Sequence, residues 1–177
     1  MRGVTIERMF VLGIDPGLSR CGYGCVARAG PGYRALAAGV ITTPATEALP
    51  RRLAMLRSDL SALLDDLRPD VLVIERIFFR SNARTAMSVG QASGVALVTA
   101  VEHACAVAEY TAAEVKLAVT GYGNAPKEQV QAMVVRLLNL PEVPQPPDVA
   151  DALALAVCHL GAAPWAQEQA TLKGMAG

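Results

Sequence analysis

Seven leucines between Leu49 and Leu67 recur at helical spacing, and Pro69 then closes that helix just ahead of a short unbroken apolar run, Val71 to Glu75. Such a run is a strand buried on both faces, and a strand reached through a crossover helix pairs in parallel with an earlier one. Earlier strands are at hand. Phe10 to Asp15 and Cys21 to Arg28 read as antiparallel neighbours joined at Pro16-Gly17, and Tyr33 to Thr42 adds a third. The chain is therefore expected to combine an antiparallel meander with parallel strands in one mixed sheet.

Beyond Glu75 the expectation is a helix over Asn82 to Ala104, a strand over Val107 to Thr111 and a short helix over Ala112 to Val119. A glycine-rich loop, Thr120 to Pro126, leads to a helix at about Lys127 to Leu140, and a final helix covers Asp148 to Leu160. The helix from Asn82 is rich in small residues (Ala86, Gly90, Ala92, Gly94, Ala96, Ala100), which lets another helix approach on one side while the sheet lies on the other. This order is similar to the ribonuclease H-like architecture: α/β, a mixed five-stranded sheet with helices on both faces. No repeat or linker divides the 177 residues, so one domain is expected, with 1–8 and about 164–177 as tails and Met9 as an alternative start.

Composition narrows the class. An apolar share of 53% with 18% charged residues excludes a disordered chain. Cys21, Cys25, Cys105 and Cys158 fall in apolar patterns and read as buried thiols, and Cys21 and Cys25 share one strand without a zinc-ligand partner cluster. The first residues lack the apolar core of a signal peptide, and no stretch is long enough to span a bilayer, so a cytoplasmic location is expected and no membrane. Net charge is zero, which by itself neither favours nor excludes a nucleic-acid partner.

Four of the sixteen acids stand apart. Asp15 and Glu75 each close an apolar strand, and if those strands are parallel neighbours their last side chains converge at one edge of the sheet. Asp148 and Asp151 lie three residues apart at a helix start and share a face. Each has a bland explanation: an Asx turn for Asp15, pairing with Arg76 or Arg80 for Glu75, helix capping for either aspartate. Together, four converging acids repel unless cations lie among them. An all-oxygen set suits Mg²⁺, with Mn²⁺ as a substitute, and two such ions roughly 3.5–4 Å apart serve phosphodiester hydrolysis.

The ordered motifs LGIDPGLSRCGYGCV, VIERIFF with Asn82, SVGQASGVAL, YTAAEVKLAVTGYGNAPKEQV and PPDVADALALAVCH, from residue 12 to 159, resemble the RuvC family of Holliday junction resolvases. The resemblance implies a homodimeric endonuclease of recombination and repair that nicks four-way junction DNA symmetrically and works beside a branch-migration complex of RuvA and RuvB. Carried over by motif, Asp15, Glu75, Asp148 and Asp151 are the catalytic acids and metal ligands. Lys116 and Lys127 match DNA-contacting basic residues, and Phe78 matches an aromatic that stacks on junction bases. Ser93 departs from the family, many members of which carry Arg there. His103 and His159 read as packing or surface residues. Two other classes remain open on the residues alone, an actin-fold ATP-dependent phosphotransferase using Asp15 and a catalytically silent DNA-binding dimer.

Overall fold

The computed structural model describes residues 9–76 and 83–174. Five strands form one sheet: β1 (Phe10–Asp15), β2 (Arg20–Ala29), β3 (Gly32–Thr42), β4 (Val71–Glu75) and β5 (Ala106–Tyr110). Their spatial order is β3-β2-β1-β4-β5, with the β1/β2 and β2/β3 pairs antiparallel and the β1/β4 and β4/β5 pairs parallel. The crossover through α1 (Leu49–Leu67) thus places β4 directly beside β1, as the leucine pattern requires.

Period-two alternation sorts the sheet's side chains into two cores. Leu12, Ile14, Leu72 and Ile74 point to one face, where Leu56, Leu60 and Leu64 of α1 meet Ala92, Ala96 and Ala100 of α2 (Ala83–Glu102). Val11, Val26 and Val73 point to the other, under α3 (Ala112–Thr120), α4 (Lys127–Leu138) and α5 (Pro147–Gly174). Helices therefore cover both faces, and the four cysteines are buried free thiols.

The small residues of α2 divide more sharply than the sequence suggests. Ala92, Ala96 and Ala100 pack inward, whereas a Cβ added at Gly90 or Gly94 would touch nothing within 4 Å. The glycines belong to an outward stripe with Met87, Val98 and Val101, exposed by 65%, 56% and 71%. Ser93 is buried.

Element ends differ from expectation for local reasons. The strand β5 stops at Tyr110 because Thr111 becomes the N-cap of α3: its hydroxyl accepts from the Glu114 N–H, and the Glu114 carboxylate accepts from the Thr111 N–H at 2.7 Å. The helix α4 ends at Leu138 because Asn139 turns left-handed (φ 51°) and caps it. Beyond Leu160, α5 runs on to Gly174. Pro164 has no N–H for the Leu160 carbonyl one turn back, and the Arg28 guanidinium donates to that carbonyl instead.

Candidate active site

The strand register brings two acids to one edge. Residues Val11, Gly13 and Asp15 of β1 share a face, as do Val71, Val73 and Glu75 of β4, and the pairing Gly13↔Val73 carried two residues on sets Asp15 level with Glu75. That shared face is the one covered by α5, which begins at the same edge.

Three glycines seat α5 against the sheet. Gly13 and Gly24 are cross-strand partners, and Gly22 lies opposite Asp15. A Cβ at Gly13 would stand 1.9 Å from the Ala152 carbonyl oxygen, and one at Gly22 would stand 2.2 Å from that of Asp148. At Gly24 it would run into Leu153. With no side chains in the way, the helix backbone lies directly on the strands, and its first two turns hold Asp148 and Asp151 over Asp15. None of these glycines figures among the expected site residues, although the G-Y-G alternation at strand spacing, which puts Gly22 and Gly24 on Asp15's face, was the available signal.

Electrostatics register the convergence. The Asp15 carboxyl is pushed up to about 7, first by burial and then by Asp151, Asp148 and Glu75, with Lys127 opposing. Glu75 is also raised, by desolvation and by Asp151, although its side chain opens to solvent; Lys116 and Lys127 pull it back. Basic groups hold the two helix aspartates. The Lys127 ammonium donates to Asp151 Oδ2 at 2.6 Å, a contact that raises the lysine's pKa and keeps it charged, and Arg20 Nε lies 3.4 Å from Asp148 Oδ2.

With Asp148 and Asp151 turned to these cations, no group of three acid, histidine or cysteine side chains among the described residues is arranged to grip one metal ion. The donor chemistry nevertheless fits a hard divalent ion: four carboxylates, no nitrogen or sulfur ligand, and a central aspartate that cannot readily ionise without positive charge beside it. Glu75, Lys116, Lys127 and Asp151 line a cleft of about 210 Å³ over an apolar floor that includes Val115 and Leu155. Lys116 and Lys127 therefore face the acids. Phe78 lies outside the described residues, as do Arg80 and Asn82. The histidines are structural: His159 Nδ1 meets the Tyr110 hydroxyl at 3.0 Å, and His103 bridges Ser61 of α1 and the Thr99 carbonyl of α2.

A mixed sheet in the order 3-2-1-4-5 with acids gathered at the ends of its first and fourth strands defines a ribonuclease H-like protein of the nuclease type. The family model for crossover junction endodeoxyribonuclease RuvC matches residues 11–159, and the chain belongs to that family. A crossover junction endodeoxyribonuclease RuvC of Moorella thermoacetica is 52% identical over 167 residues, 94% of this chain and 99% of its own. RuvC of Thermus thermophilus superposes with a TM-score of 0.83 at 37% identity, covering 89% of this chain and 97% of that one. The T. thermophilus protein in complex with a Holliday junction substrate gives 0.81 at 35%, with 89% and 96% covered.

Proposed function

We infer that this chain is a structure-selective endonuclease that resolves four-way DNA junctions by paired symmetric nicks, with Asp15, Glu75, Asp148 and Asp151 as its catalytic acids. The single observation that carries the site assignment is the seating of α5 on Gly13 and Gly22, which brings acids from three separate elements over one sheet edge. Nucleases of this family are metal-dependent. The four acids support two Mg²⁺ ions per site, with Mn²⁺ able to substitute, and Asp15, Glu75, Asp148 and Asp151 would hold them. Bound there, such ions would supply an activated water and charge for the leaving oxygen.

The rest is the chain's own work. Asp15, central and partly buried, fixes the origin of the site. Lys127 stays protonated beside Asp151, and Lys116 sits across the cleft near Glu75; both meet the scissile phosphate and screen its approach to the acids. A water oxygen then bonds to phosphorus as the bond to the leaving sugar oxygen breaks, which leaves one phosphate end and one hydroxyl end. Phe78, two residues past Arg76, is proposed to stack on a junction base.

Paired nicks need two sites, and the outward stripe of α2 supports a homodimer. Met87, Gly90, Gly94, Val98 and Val101 span 14 residue steps, about 21 Å of helix. The glycines let a second copy of α2 approach closely. A branch-migration complex of RuvA and RuvB is proposed on family membership. Among the described residues no helix is long and apolar enough to cross a membrane, and a cytoplasmic site of action suits the DNA substrate. Neither an ATP-dependent phosphotransferase nor a silent DNA-binding dimer gains support from any observation.

The test is cleavage of a synthetic four-way junction resolved on a denaturing gel. The wild type is expected to nick opposed strands with Mg²⁺ or Mn²⁺, stop on chelation and ignore the matching duplex. Asp15→Asn is expected to bind the junction without nicking it; nicking at the wild-type rate would remove Asp15 from the mechanism.

A further inference from the structure

The geometry points to Arg20 as a further phosphate-contacting residue, parked on Asp148 until a divalent cation takes that carboxylate. The inference rests on the nuclease reading above and adds to it a second basic flank for the DNA strand.

Position comes first. Arg20 opens β2 immediately after the turn that follows Asp15, and it lies two residues before Gly22, on the same face of the strand. In the sheet order, β2 lies on one side of β1, and β4 and β5 lie on the other. Lys116 belongs to the helix that follows β5, so Arg20 and Lys116 stand on opposite sides of Asp15. A strand of DNA drawn across the acids meets Lys116 and Lys127 on one side and Arg20 on the other.

The contact that holds Arg20 now is built to be exchanged. Arg20 Nε lies 3.4 Å from Asp148 Oδ2, and the arginine side chain is 60% exposed while that of Asp148 is 22% exposed. The guanidinium is thus the more solvent-exposed partner, at a separation long for a hydrogen bond. An ion pair so placed holds only weakly in water. A divalent cation competing for Asp148 outmatches it, and the released guanidinium has a two-pronged fit to a phosphate.

The base from which Arg20 swings is anchored. The Arg52 guanidinium donates to the Ser19 hydroxyl at 2.8 Å and to the Thr43 hydroxyl at 3.0 Å, and the buried Thr43 hydroxyl donates to the Leu18 carbonyl. These bonds tie the β1–β2 turn to the end of β3 and the first turn of α1. The backbone at Arg20 is anchored while its side chain is mostly exposed, an arrangement suited to changing partners without moving Asp15.

The experiment compares wild type, Arg20→Gln and Arg20→Lys in two measurements. Calorimetric titration of the DNA-free protein with Mn²⁺ is expected to show about two- to fivefold tighter binding by Arg20→Gln, the factor a solvent-exposed ion pair supplies. Junction affinity is then measured by fluorescence anisotropy across a salt series, once in chelator and once in Ca²⁺, with the strands checked intact on a denaturing gel. In Ca²⁺, Arg20→Gln is expected to reduce the slope of log affinity against log salt by about one per subunit, with Arg20→Lys largely restoring it; in chelator the slope changes little. Unchanged Mn²⁺ affinity, or a slope that does not respond to the variant in Ca²⁺, overturns the exchange. Failure of the nuclease reading looks different: the wild type itself would leave the junction uncut with Mn²⁺.

Discussion

Replacing Asp15 by Asn should make the metal-free protein more stable while it abolishes nicking. The Asp15 carboxyl titrates at about 7 in the fold against 3.8 unperturbed, through burial first and then through Asp151, Asp148 and Glu75. A gap of that size corresponds to roughly 4 kcal/mol against the ionised form, and solvent screening at a site partly open to water brings it to about 2 kcal/mol. The folded state binds this proton more tightly than the unfolded state does. The penalty is therefore absent below about pH 4, grows as pH rises through the window between 4 and 7, and is complete above about 7. Asparagine has nothing to ionise. The difference in Tm between variant and wild type should reach about 4–8 °C at pH 8 and be only about a third of that at pH 5, since about 1 kcal/mol moves Tm by roughly 2–4 °C in a chain of this length.

The assay is thermal unfolding by circular dichroism in chelator at pH 5, 6, 7 and 8, repeated with Mn²⁺ in excess. The ion restores charge balance in the wild type and stabilises it by mass action, by about 2.7 kcal/mol at one hundred times its Kd. The variant, lacking the carboxylate proposed as the central ligand, should gain less, so its advantage at pH 8 shrinks or reverses. An Asp15→Asn protein that is no more stable than wild type at pH 8 in chelator, or an advantage independent of pH, would refute the picture of four acids crowded around a buried carboxylate.

Three further outcomes are expected. Gly22→Ala sets a Cβ 2.2 Å from the Asp148 carbonyl oxygen and must lift the first turn of α5, at a cost of about 1–3 kcal/mol in thermal unfolding; junction nicking should fall out of proportion to that loss, because Asp148 and Asp151 move with the helix. Lys127→Met removes the cation that opposes the acids, so metal-free stability at pH 8 should drop by at most about 1 kcal/mol, and single-turnover nicking should slow by about tenfold or more as the phosphate loses its partner. Val98→Glu places a charge on the outward stripe of α2 proposed as the dimer seam; sedimentation is expected to show a wild-type dimer and a monomeric variant at the same concentration, with Tm of the monomer little changed.

What could be read from the chain follows the range over which each signal acts. Leucine spacing, the Pro16-Gly17 turn and the apolar run at Val71 are local, and they sufficed for the element order and for the crossover that makes β1 and β4 neighbours. From that adjacency the convergence of Asp15 and Glu75 is nearly forced, because alternation leaves the last residue of each strand on the same face. The partners of the other two acids were not legible. Arg20 and Asp148 are 128 residues apart and Lys127 and Asp151 are 24 apart, so no periodicity links them, and each basic residue reads equally well as a solvated charge until α5 is placed. The glycines show the same limit in another form. In sequence Gly13, Gly22 and Gly24 are consistent with bulges, turns or weak strand positions, and only the arrival of the Ala152 and Asp148 carbonyls shows that the missing side chains make room for a helix. Close seating and acid repulsion therefore pull against each other at one spot: the glycines draw α5 down onto the sheet, and that approach forces Asp148 and Asp151 toward Asp15, which already has Glu75 beside it. A fold selected for stability alone would have no reason to keep both, which makes their coincidence at the end of β1 the strongest internal argument that this edge is shaped for chemistry.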